Sequence, residues 1–333
     1  MDIALDRARP GERWVLRRRL ADGSATDVIG WVIGTVPDPL LEIEGGAQIR
    51  VERGSVILAK RVPTARGGPD PRRTPAAELE RAALPGWVAL SEPLGEWTLR
   101  AAGGFTDRAN SALAVGDPGL PISDAAARVV RYAAEHDIAP RAQVIIGSEV
   151  DADLTGLGWR PVSVPVEVLV TRLTTLLGDD LPDPCVVVGE TLDQAWWRAF
   201  SRSRPNDTDP ELLRMLLDGH PPRAYAAVLG RDGEHVAIAR GHVSGPWFGI
   251  TTVWTESTHR RAGLTAAMTR ALGHWAARYG ARNAYLKVAA DDDGAHTAYA
   301  GLGFVRHHSY RHLDAPHQAE KVTKRVSRPA RRS

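Results

Sequence analysis

The chain has 333 residues, of which 43% are apolar, so it can bury more than one hydrophobic core and we expect two or three domains. Its single cysteine, Cys185, excludes an internal disulfide and a cysteine-based metal site, and its net charge of +2 gives no general sign of nucleic-acid binding. The sequence has no signal-peptide pattern and no apolar run of the about 18 residues that span a bilayer, so we expect a cytoplasmic protein without membrane contact.

Residues 1–65 are predicted to form a small β-rich domain. Five apolar or β-branched runs alternate with turns, at residues 14–16, 28–33, 40–43, 49–51 and 56–58. Five strands this close together indicate an SH3-like β-barrel. Its basic residues could bind nucleic acid or a peptide, although basic side chains on a solvated rim are the commoner explanation. Residues 66–78 are rich in proline, glycine and arginine and predict a linker.

Residues 79–178, with a short helix leading into them, are predicted to form a compact α/β segment. Strands are expected at residues 97–100, 111–115, 143–146 and 162–172, and helices at 76–84, 123–136 and 151–157. Ser123 is a suitable N-cap for the long middle helix. The stretch before that helix, residues 116–121, contains two prolines and an acid where an anion site would need free N–H groups.

Residues 183–315 are predicted to form a second α/β domain. Strands are expected at residues 185–188, 223–229, 235–243, 248–255 and 284–288, and helices at 192–200, 210–217 and 264–279. The strands on either side of the third helix make a βαβ unit, so they should be parallel with a right-handed crossover. At residues 154–159 and 299–304 a short helix is expected to end in Leu-Gly-aromatic and to be followed by a strand, which is a weak internal repeat. We therefore interpret residues 79–178 as a degenerate copy of this second domain.

The turn at residues 259–265 is the chemical centre of the second domain. It leads into the N-terminus of a helix, where unpaired backbone N–H groups and the positive end of the helix dipole form an anion site. Gly263 removes a Cβ that would block a phosphate, Arg260 and Arg261 add positive charge, and Thr265 offers a hydroxyl group. A basic helix start with a glycine in a tight turn has the same residues, so the turn alone leaves both interpretations open.

Two motifs resemble the GNAT superfamily of acyl-CoA-dependent N-acetyltransferases. The run R-R-A-G-L-T at residues 260–265 resembles the R/Q-x-x-G-x-G/A pyrophosphate loop. The run D-D-G-A-H-T-A-Y-A-G-L-G-F at residues 292–304 resembles the family's N-x-x-A-x-x-x-Y-x-x-L-G-F segment. The resemblance covers about residues 183–313, and Thr265 and Asp292 depart from the pattern. The type that it resembles is actinobacterial, with an N-terminal SH3-like barrel and a degenerate GNAT-like half before the C-terminal domain.

The resemblance implies an α/β (α+β) fold, in which helices flank a mixed sheet, and acetyl-CoA as co-substrate. The residues implied to bind the coenzyme lie on the central strand, the turn and the segment after the next strand, namely Val253, Trp254, Thr255, Arg260, Arg261, Ala262, Gly263, Leu264, Thr265, Asp292, Ala295 and Tyr299. Tyr299 is implied to protonate the departing thiolate, since a phenol with a pKa of about 10 is protonated at neutral pH. A tyrosine packed between helix and sheet is the structural alternative.

The general base is less clearly indicated. Glu256 is the candidate with the better position, His242 is the alternative, and a chain of water molecules would also serve. No metal is expected, because adjacent histidines on a strand, such as His307 and His308, should point to opposite faces.

The leading functional hypothesis is transfer of acetyl from acetyl-CoA to a primary amine, either a protein lysine, as on a histone-like or nucleoid protein, or a small-molecule amine. Two alternatives remain open: an acyl-CoA-binding regulatory protein without turnover, and a nucleic-acid-binding protein. The second alternative rests on the barrel and on the basic segment at residues 316–333, which is expected to be a disordered tail.

Overall fold

The computed structural model describes residues 7–87, 90–206, 208–219 and 221–316. These residues form two β-sheets, a small one near the N-terminus and a large one with helices on both faces. The tail expected at residues 316–333 lies outside the described residues except for Pro316.

The small sheet has five antiparallel strands, β1 (Arg13–Arg19), β2 (Ala25–Gly34), β3 (Leu40–Glu42), β4 (Gln48–Arg50) and β5 (Val56–Arg61). Their order is β4-β3-β2-β1-β5, and Leu16, Leu41 and Val51 are fully buried between them. All five predicted strands are therefore confirmed. The pairing follows an open path in the described residues, so closure into an SH3-like barrel stays a prediction.

The large sheet contains the remaining strands. They are β6 (Leu90–Leu94), β7 (Trp97–Ala101), β8 (Ala112–Leu113), β9 (Arg141–Ile145), β10 (Arg160–Pro161), β11 (Val166–Arg172), β12 (Val186–Gly189), β13 (Arg223–Leu229), β14 (His235–Ser244), β15 (Trp247–Thr255), β16 (Asn283–Ala289) and β17 (Val305–Asp314). The α-helices are α1 (Ala76–Ala82), α2 (Ile122–Glu135), α3 (Glu149–Gly156), α4 (Leu173–Leu177), α5 (Gln194–Ser203), α6 (Pro210–Asp218), α7 (Leu264–Arg278) and α8 (Asp293–Ala300).

The strand order of the large sheet is β12-β13-β14-β15-β16-β11-β17-β9-β8-β7-β6, with β10 paired to β17. Its centre consists of two exchanged strands. β11 from the first half of the chain lies between β16 and β17, and β17 from the second half lies between β11 and β9. On either side of this centre, α2 joins the parallel pair β8–β9 and α7 joins the parallel pair β15–β16. The parallel pairing predicted around α7 is thus confirmed, and it has a counterpart in the first half.

Side chains alternate between the two faces of the sheet. On the α7 face, helices α4, α7 and α8 enclose a large apolar core that includes Leu173, Met268, Leu272 and Phe304. On the opposite face, called the α6 face, helices α5 and α6 bury Trp196, Phe200 and Leu216 against Ile238. Along β14 and β16, residues 238, 240, 242, 285 and 287 alternate with members of the α7-face core and so lie on the α6 face.

The small sheet packs against the C-terminal end of α7. Trp31 of β2 is part of the α7-face core. The backbone N–H of Gly45 donates to the carbonyl of Arg278 at 3.0 Å, and the Arg278 guanidinium lies 3.6 Å from the Glu42 carboxylate. Residues 66–78, which were predicted as a linker, contain a 3₁₀ turn at Pro71–Arg73, in which Pro71 is buried, and the start of α1. The small sheet is therefore docked on the second half of the chain.

Four local expectations differ from the structure. β6 and α4 were not predicted. Pro93 interrupts the strand pattern of β6, and the five residues of α4 continue the apolar run of the preceding strand. Ser123 is not the N-cap of α2: the helix begins at Ile122 with Pro121 at the N-cap, where the missing N–H costs little. The strand predicted at residues 162–172 begins only at Val166, as β11, because Pro165 precedes it, and the two-residue strand β10 lies before the predicted range.

The fourth difference concerns the adjacent histidines of β17. Their side chains do not point to opposite faces, since His307 Nδ1 lies 2.7 Å from His308 Nδ1. The pairing of β17 with β11 shifts register here, with His308 opposite Val168 and Arg306 opposite Leu169. His307 is thus the extra residue of a β-bulge, which re-aims its side chain.

Candidate coenzyme and acceptor site

The strands β15 and β16 pair over only part of their length. Their register runs from Trp247 opposite Asn283 to Ile250 opposite Leu286, and residues 251–255 have no partner on β16. A β-bulge lies at the point of separation, where residues 252 and 253 stand opposite Ala239 alone and Thr252 has a φ of 54°. The resulting opening leaves main-chain groups of β15 available to an extended ligand on that side.

The turn between β15 and α7 carries a row of free backbone donors. Gly263 is the N-cap of α7 and no side chain caps this end, while the first helical bond from Ala267 goes to the Gly263 carbonyl. Across the described part of the chain, the N–H groups of residues 261–266 have no hydrogen-bond acceptor. Because the helix dipole adds a positive partial charge at this end, the turn has the properties of an anion site.

Two left-handed residues shape this turn. Gly263 has a φ of 77° and Arg261 a φ of 65°. A Cβ built on Gly263 would meet nothing within 4 Å, so glycine is not required here by neighbouring atoms. It is required by the positive φ, and it leaves space for a ligand. Arg260 and Arg261 are both exposed, and Arg260 Nε lies 3.4 Å from the Thr255 carbonyl. The charge that the sequence predicted is therefore present beside the free N–H groups.

A surface cavity of about 550 Å³ adjoins the turn. It is lined by residues 262–264 and the first turns of α7 on one side, and by residues 180–184 on the other. Those five residues join the two halves of the chain. The connection between the halves therefore forms one wall of the candidate coenzyme site.

Tyr299 lies on α8, in the α7-face core. It is 7% exposed, and its ring packs on Phe304 with centroids 5.7 Å apart. Burial, with a smaller contribution from Asp292, raises the pKa of its phenol above the ordinary value of 10.0. The phenol is therefore protonated over the whole physiological pH range, as a proton donor requires. Val253, Leu264 and Ala295 pack at the edge of the same core, so all four predicted residues border one apolar cluster.

The other predicted coenzyme residues have varied positions. Asp292 is the N-cap of α8, and its carboxylate accepts from the N–H of Ala295 at 2.9 Å. This structural role accounts for an acid at this position. Trp254 points away from the α7 face and packs at the edge of the α6-face core. Thr255 is half-buried, and its Oγ1 has no hydrogen-bond partner in the described residues.

The chain is similar to several solved structures, among them the following three. A GCN5-related N-acetyltransferase from Kribbella flavida has a TM-score of 0.54 and 21% identity, over 73% of this chain and 96% of that chain. A putative GNAT acetyltransferase from Novosphingobium aromaticivorans has a TM-score of 0.46 and 17% identity, over 72% and 96%. A tandem GNAT protein from the clavulanic acid biosynthesis pathway has a TM-score of 0.47 and 13% identity, over 62% and 75%. None of the curated proteins compared with the chain matches it.

The family model described as "Probable histone acetyltransferase Rv0428c C-terminal" matches residues 76–313, well over half of the chain. The chain belongs to this family of GNAT acetyltransferases. The match begins at α1 and ends in β17, so it spans both halves of the large sheet and leaves the small sheet outside. The resemblance noted at residues 260–265 and 292–304 is confirmed at the level of the family.

The two candidates for the general base of this GNAT enzyme lie apart. Glu256 follows β15 directly, is half-exposed, and lines a cavity of about 560 Å³ with Arg202 and His259. His242 is buried on the α6 face, where its Nε2 lies 2.8 Å from the Tyr285 hydroxyl. Burial, with help from neighbouring cations, lowers the pKa of His242 to about 3, so its ring is neutral. A Cβ on Gly249 of β15 would touch both His242 and Tyr285, which places this pair next to the separating strands.

Sequence reasoning missed a buried polar network on the α6 face. Glu80 of α1 accepts from Lys287 Nζ at 2.7 Å and from Gln143 Nε2 at 2.6 Å. Gln143 in turn accepts from Arg100, whose guanidinium also binds Ser111. These residues come from five separate segments of the chain, and in the sequence alone each charged residue is typical of a protein surface, so only the fold brings them together.

The described residues contain neither a metal site nor a helix that could span a membrane. No group of three or more His, Cys, Asp or Glu side chains among them has the arrangement of a metal site. No helix in this part of the chain has both the length and the apolar character that crossing a bilayer requires.

Proposed function

We propose that this GNAT acetyltransferase transfers the acetyl group of acetyl-CoA to a primary amine, with a protein lysine or a small-molecule amine as acceptor. The observation that carries the proposal is the opening between β15 and β16 beside the free N–H groups of residues 261–266. A thioester arm lying against residues 251–255 would have its pyrophosphate at the N-terminus of α7. The site then offers both an anion pocket and an edge for the acyl arm.

The chemistry follows from these positions. The neutral amine forms a bond to the thioester carbonyl carbon, a backbone N–H of residues 253–255 stabilises the oxyanion, and the C–S bond then breaks. Tyr299 gives its proton to the departing thiolate, and the amine's proton leaves through Glu256, through His242 or through water. His242 lies closer to the point where the strands separate, whereas Glu256 is better exposed to solvent.

A protein lysine is supported by the description of the matching family model, which names a probable histone acetyltransferase. A docked small sheet beside the catalytic half would give a protein acceptor additional surface. We also propose the division of the chain into an SH3-like barrel at 1–65, a linker at 66–78, a degenerate GNAT-like half at 79–178 and a catalytic domain at 183–315.

An acceptor screen with labelled acetyl-CoA tests the proposal. Purified protein is incubated with histone-like proteins, polyamines, aminoglycosides and amino acids, and product formation is followed against a Gly263→Glu variant. Transfer to one acceptor class that the variant loses is the expected result. Coenzyme binding without transfer to any amine would favour an acyl-CoA-binding regulatory protein. DNA binding with a steep salt dependence and no coenzyme binding would favour the nucleic-acid alternative.

A further inference from the structure

Two arginines meet at one tryptophan on the α6 face. The guanidinium carbon of Arg108 lies 5.4 Å from the centre of the Trp87 ring, and that of Arg240 lies 5.8 Å from it. Arg240 is fully buried, and Arg108 is half-buried. His242 is part of the same group, since a Cβ on Gly86, the neighbour of Trp87, would lie 3.0 Å from His242 Nδ1.

These side chains hold unused hydrogen-bonding atoms. Among the described residues, the buried atoms Trp87 Nε1, Arg240 Nη2 and His242 Nδ1 have no partner. The other two nitrogens of the Arg240 guanidinium donate to backbone carbonyls, Nε to that of Leu217 at 2.6 Å and Nη1 to that of Gly86 at 2.8 Å. An unpaired polar atom in a protein interior carries a desolvation cost, which a polar ligand bound beside these three atoms would remove.

The charges here are also unbalanced. Within the described ranges, neither Arg108 nor Arg240 has an acidic partner. The nearby carboxylates already have partners: Glu80 binds Lys287, Asp107 binds Arg141, and Asp218 binds Arg223. A cation without an acid at a partly buried position favours an incoming anion.

The loop that carries Arg108 is rigidly held. Asn110 is buried, and its Oδ1 accepts from the N–H groups of Ala102 and Gly104 at 2.7 and 2.9 Å. Its Nδ2 donates to the carbonyls of Phe105 and Thr106, both at 2.9 Å. Four hydrogen bonds from one side chain therefore hold the backbone of the loop from which Arg108 projects.

This group of side chains adjoins the reacting centre. His242 and Tyr285 lie directly against Gly249, one residue before β15 and β16 lose their pairing. The Arg108 charge also helps to lower the pKa of His242, which is consistent with a position near that ring. An acceptor that places its amine at the opening from the α6 face would therefore extend toward Arg108.

We propose that the acceptor carries an anionic group, a carboxylate or a phosphate, and that Arg108 binds this group with Trp87 and Arg240 beside it. The proposal rests on the proposed acetyl transfer and assigns the substrate class for the same site. Among small-molecule acceptors it favours amines with a negative group over polyamines and aminoglycosides, whose several positive charges would be repelled by the two arginines.

Matched amines test the proposal. β-Alanine, phosphoethanolamine, β-alanine amide and a diamine of similar length, each with longer homologues, are titrated into the protein with coenzyme A by calorimetry and assayed for transfer from labelled acetyl-CoA. An anionic member should bind better than its neutral amide. Arg108→Gln should weaken that binding by about 10- to 100-fold and leave the amide unchanged. The carboxylate and phosphate arms identify which anion the site prefers.

Two further variants complete the design. Arg108→Lys keeps the charge and should recover part of the affinity, and Arg131→Gln, on an exposed position of α2, should change nothing. Thermal unfolding confirms that each variant is folded. The proposal is overturned if no anionic amine binds better than its amide, or if Arg108→Gln leaves the preference intact. Transfer without an anion preference would overturn it while acetyl transfer stands, whereas anion-dependent binding without any transfer would support the site and contradict the proposed reaction.

Discussion

At the scale of single residues, the backbone angles of the turn before α7 matter as much as its charges. Arg261 and Gly263 both have positive φ, and the row of N–H groups around them has no acceptor among the described residues. A left-handed conformation costs a residue with a Cβ about 1–2 kcal/mol. The turn therefore keeps glycine at position 263 for its geometry, and a larger side chain there would also enter the space proposed for phosphate.

Gly263→Val should abolish coenzyme A binding while the protein remains folded, because a β-branched residue disfavours this φ and moves the N–H groups. Calorimetry measures the affinity. Gly23→Val is the matched control, since Gly23 has a φ of 83° in the hairpin between β1 and β2 and open space around it. Both variants should lose similar stability, and only the first should lose coenzyme binding. Unchanged affinity in a folded Gly263→Val variant would place the coenzyme elsewhere.

Tyr299→Phe should lower kcat by about 10- to 1000-fold, the broad range for a general acid, and change coenzyme affinity little. The unperturbed phenol pKa is about 10, and burial raises the pKa of Tyr299 further. The phenol therefore stays protonated from about pH 6 to pH 9, and the loss in kcat should be constant over this range. Steady-state kinetics across this range checks both statements. Tyr132→Phe, which removes a hydroxyl from the core of the first half, is the control. A variant with full kcat at every pH would exclude the role of acid.

At the scale of elements, the sequence predicts the helices and strands that a local pattern defines, and it misses the pairing between distant segments. The periodicity of residues 264–279 and the apolar runs of β13–β16 identified those elements closely, because α7 has a regular apolar stripe and these strands are buried along most of their length. The exchange of β11 and β17 has no local signal, since it depends on pairing between strands more than 100 residues apart in the chain. The same holds for Arg108, which meets Trp87 and Arg240 only in the folded sheet.

Glu80 joins four elements, because it lies on α1 and binds Lys287 of β16, His308 of β17 and Gln143 of β9. Glu80→Gln should destabilise the protein by about 3–5 kcal/mol at neutral pH, since it leaves the Lys287 charge buried without its partner. Denaturant unfolding measures the loss. Glu78→Gln, on the exposed side of the same helix, should have little effect.

The pH dependence of this effect has a definite sign. Burial alone would raise the pKa of Glu80, but Lys287 and His308 hold it below the ordinary value of 4.5. A depressed pKa contributes stability that is complete above the unfolded value and is lost as the pH falls through the folded one. The difference between wild type and Glu80→Gln should therefore shrink below a pH of about 4.5. A difference that grew on acidification would contradict the ion pair as the source.

At the scale of the whole molecule, the two halves have equivalent helices but different helix starts. Before α2, the N–H of Asp117 donates to Glu96 at 2.7 Å and that of Gly119 to the Asp117 carboxylate at 2.8 Å. Pro121 then occupies the N-cap. Carboxylates thus take the donors that the corresponding turn before α7 leaves free.

Titration of coenzyme A into the protein should therefore give one equivalent per chain, because a second pyrophosphate would meet acids where the first meets arginines. Calorimetry gives the stoichiometry, and Gly263→Val serves as the variant that lacks the expected site. A second equivalent that survives in this variant would show that the first half also binds coenzyme.

The position of β17 has a consequence for the order in which the protein is made. This strand is the last described element of the chain, yet it lies in the middle of the large sheet, between β11 and β9. During synthesis, β9 therefore has no neighbour on that side until residue 314 has left the ribosome. The first half must stay incomplete while the second is translated, and the exposed edges of β9 and β11 are open to wrong partners in that interval. A chain that ends before residue 305 would lose the shared centre of both halves, not merely its terminus.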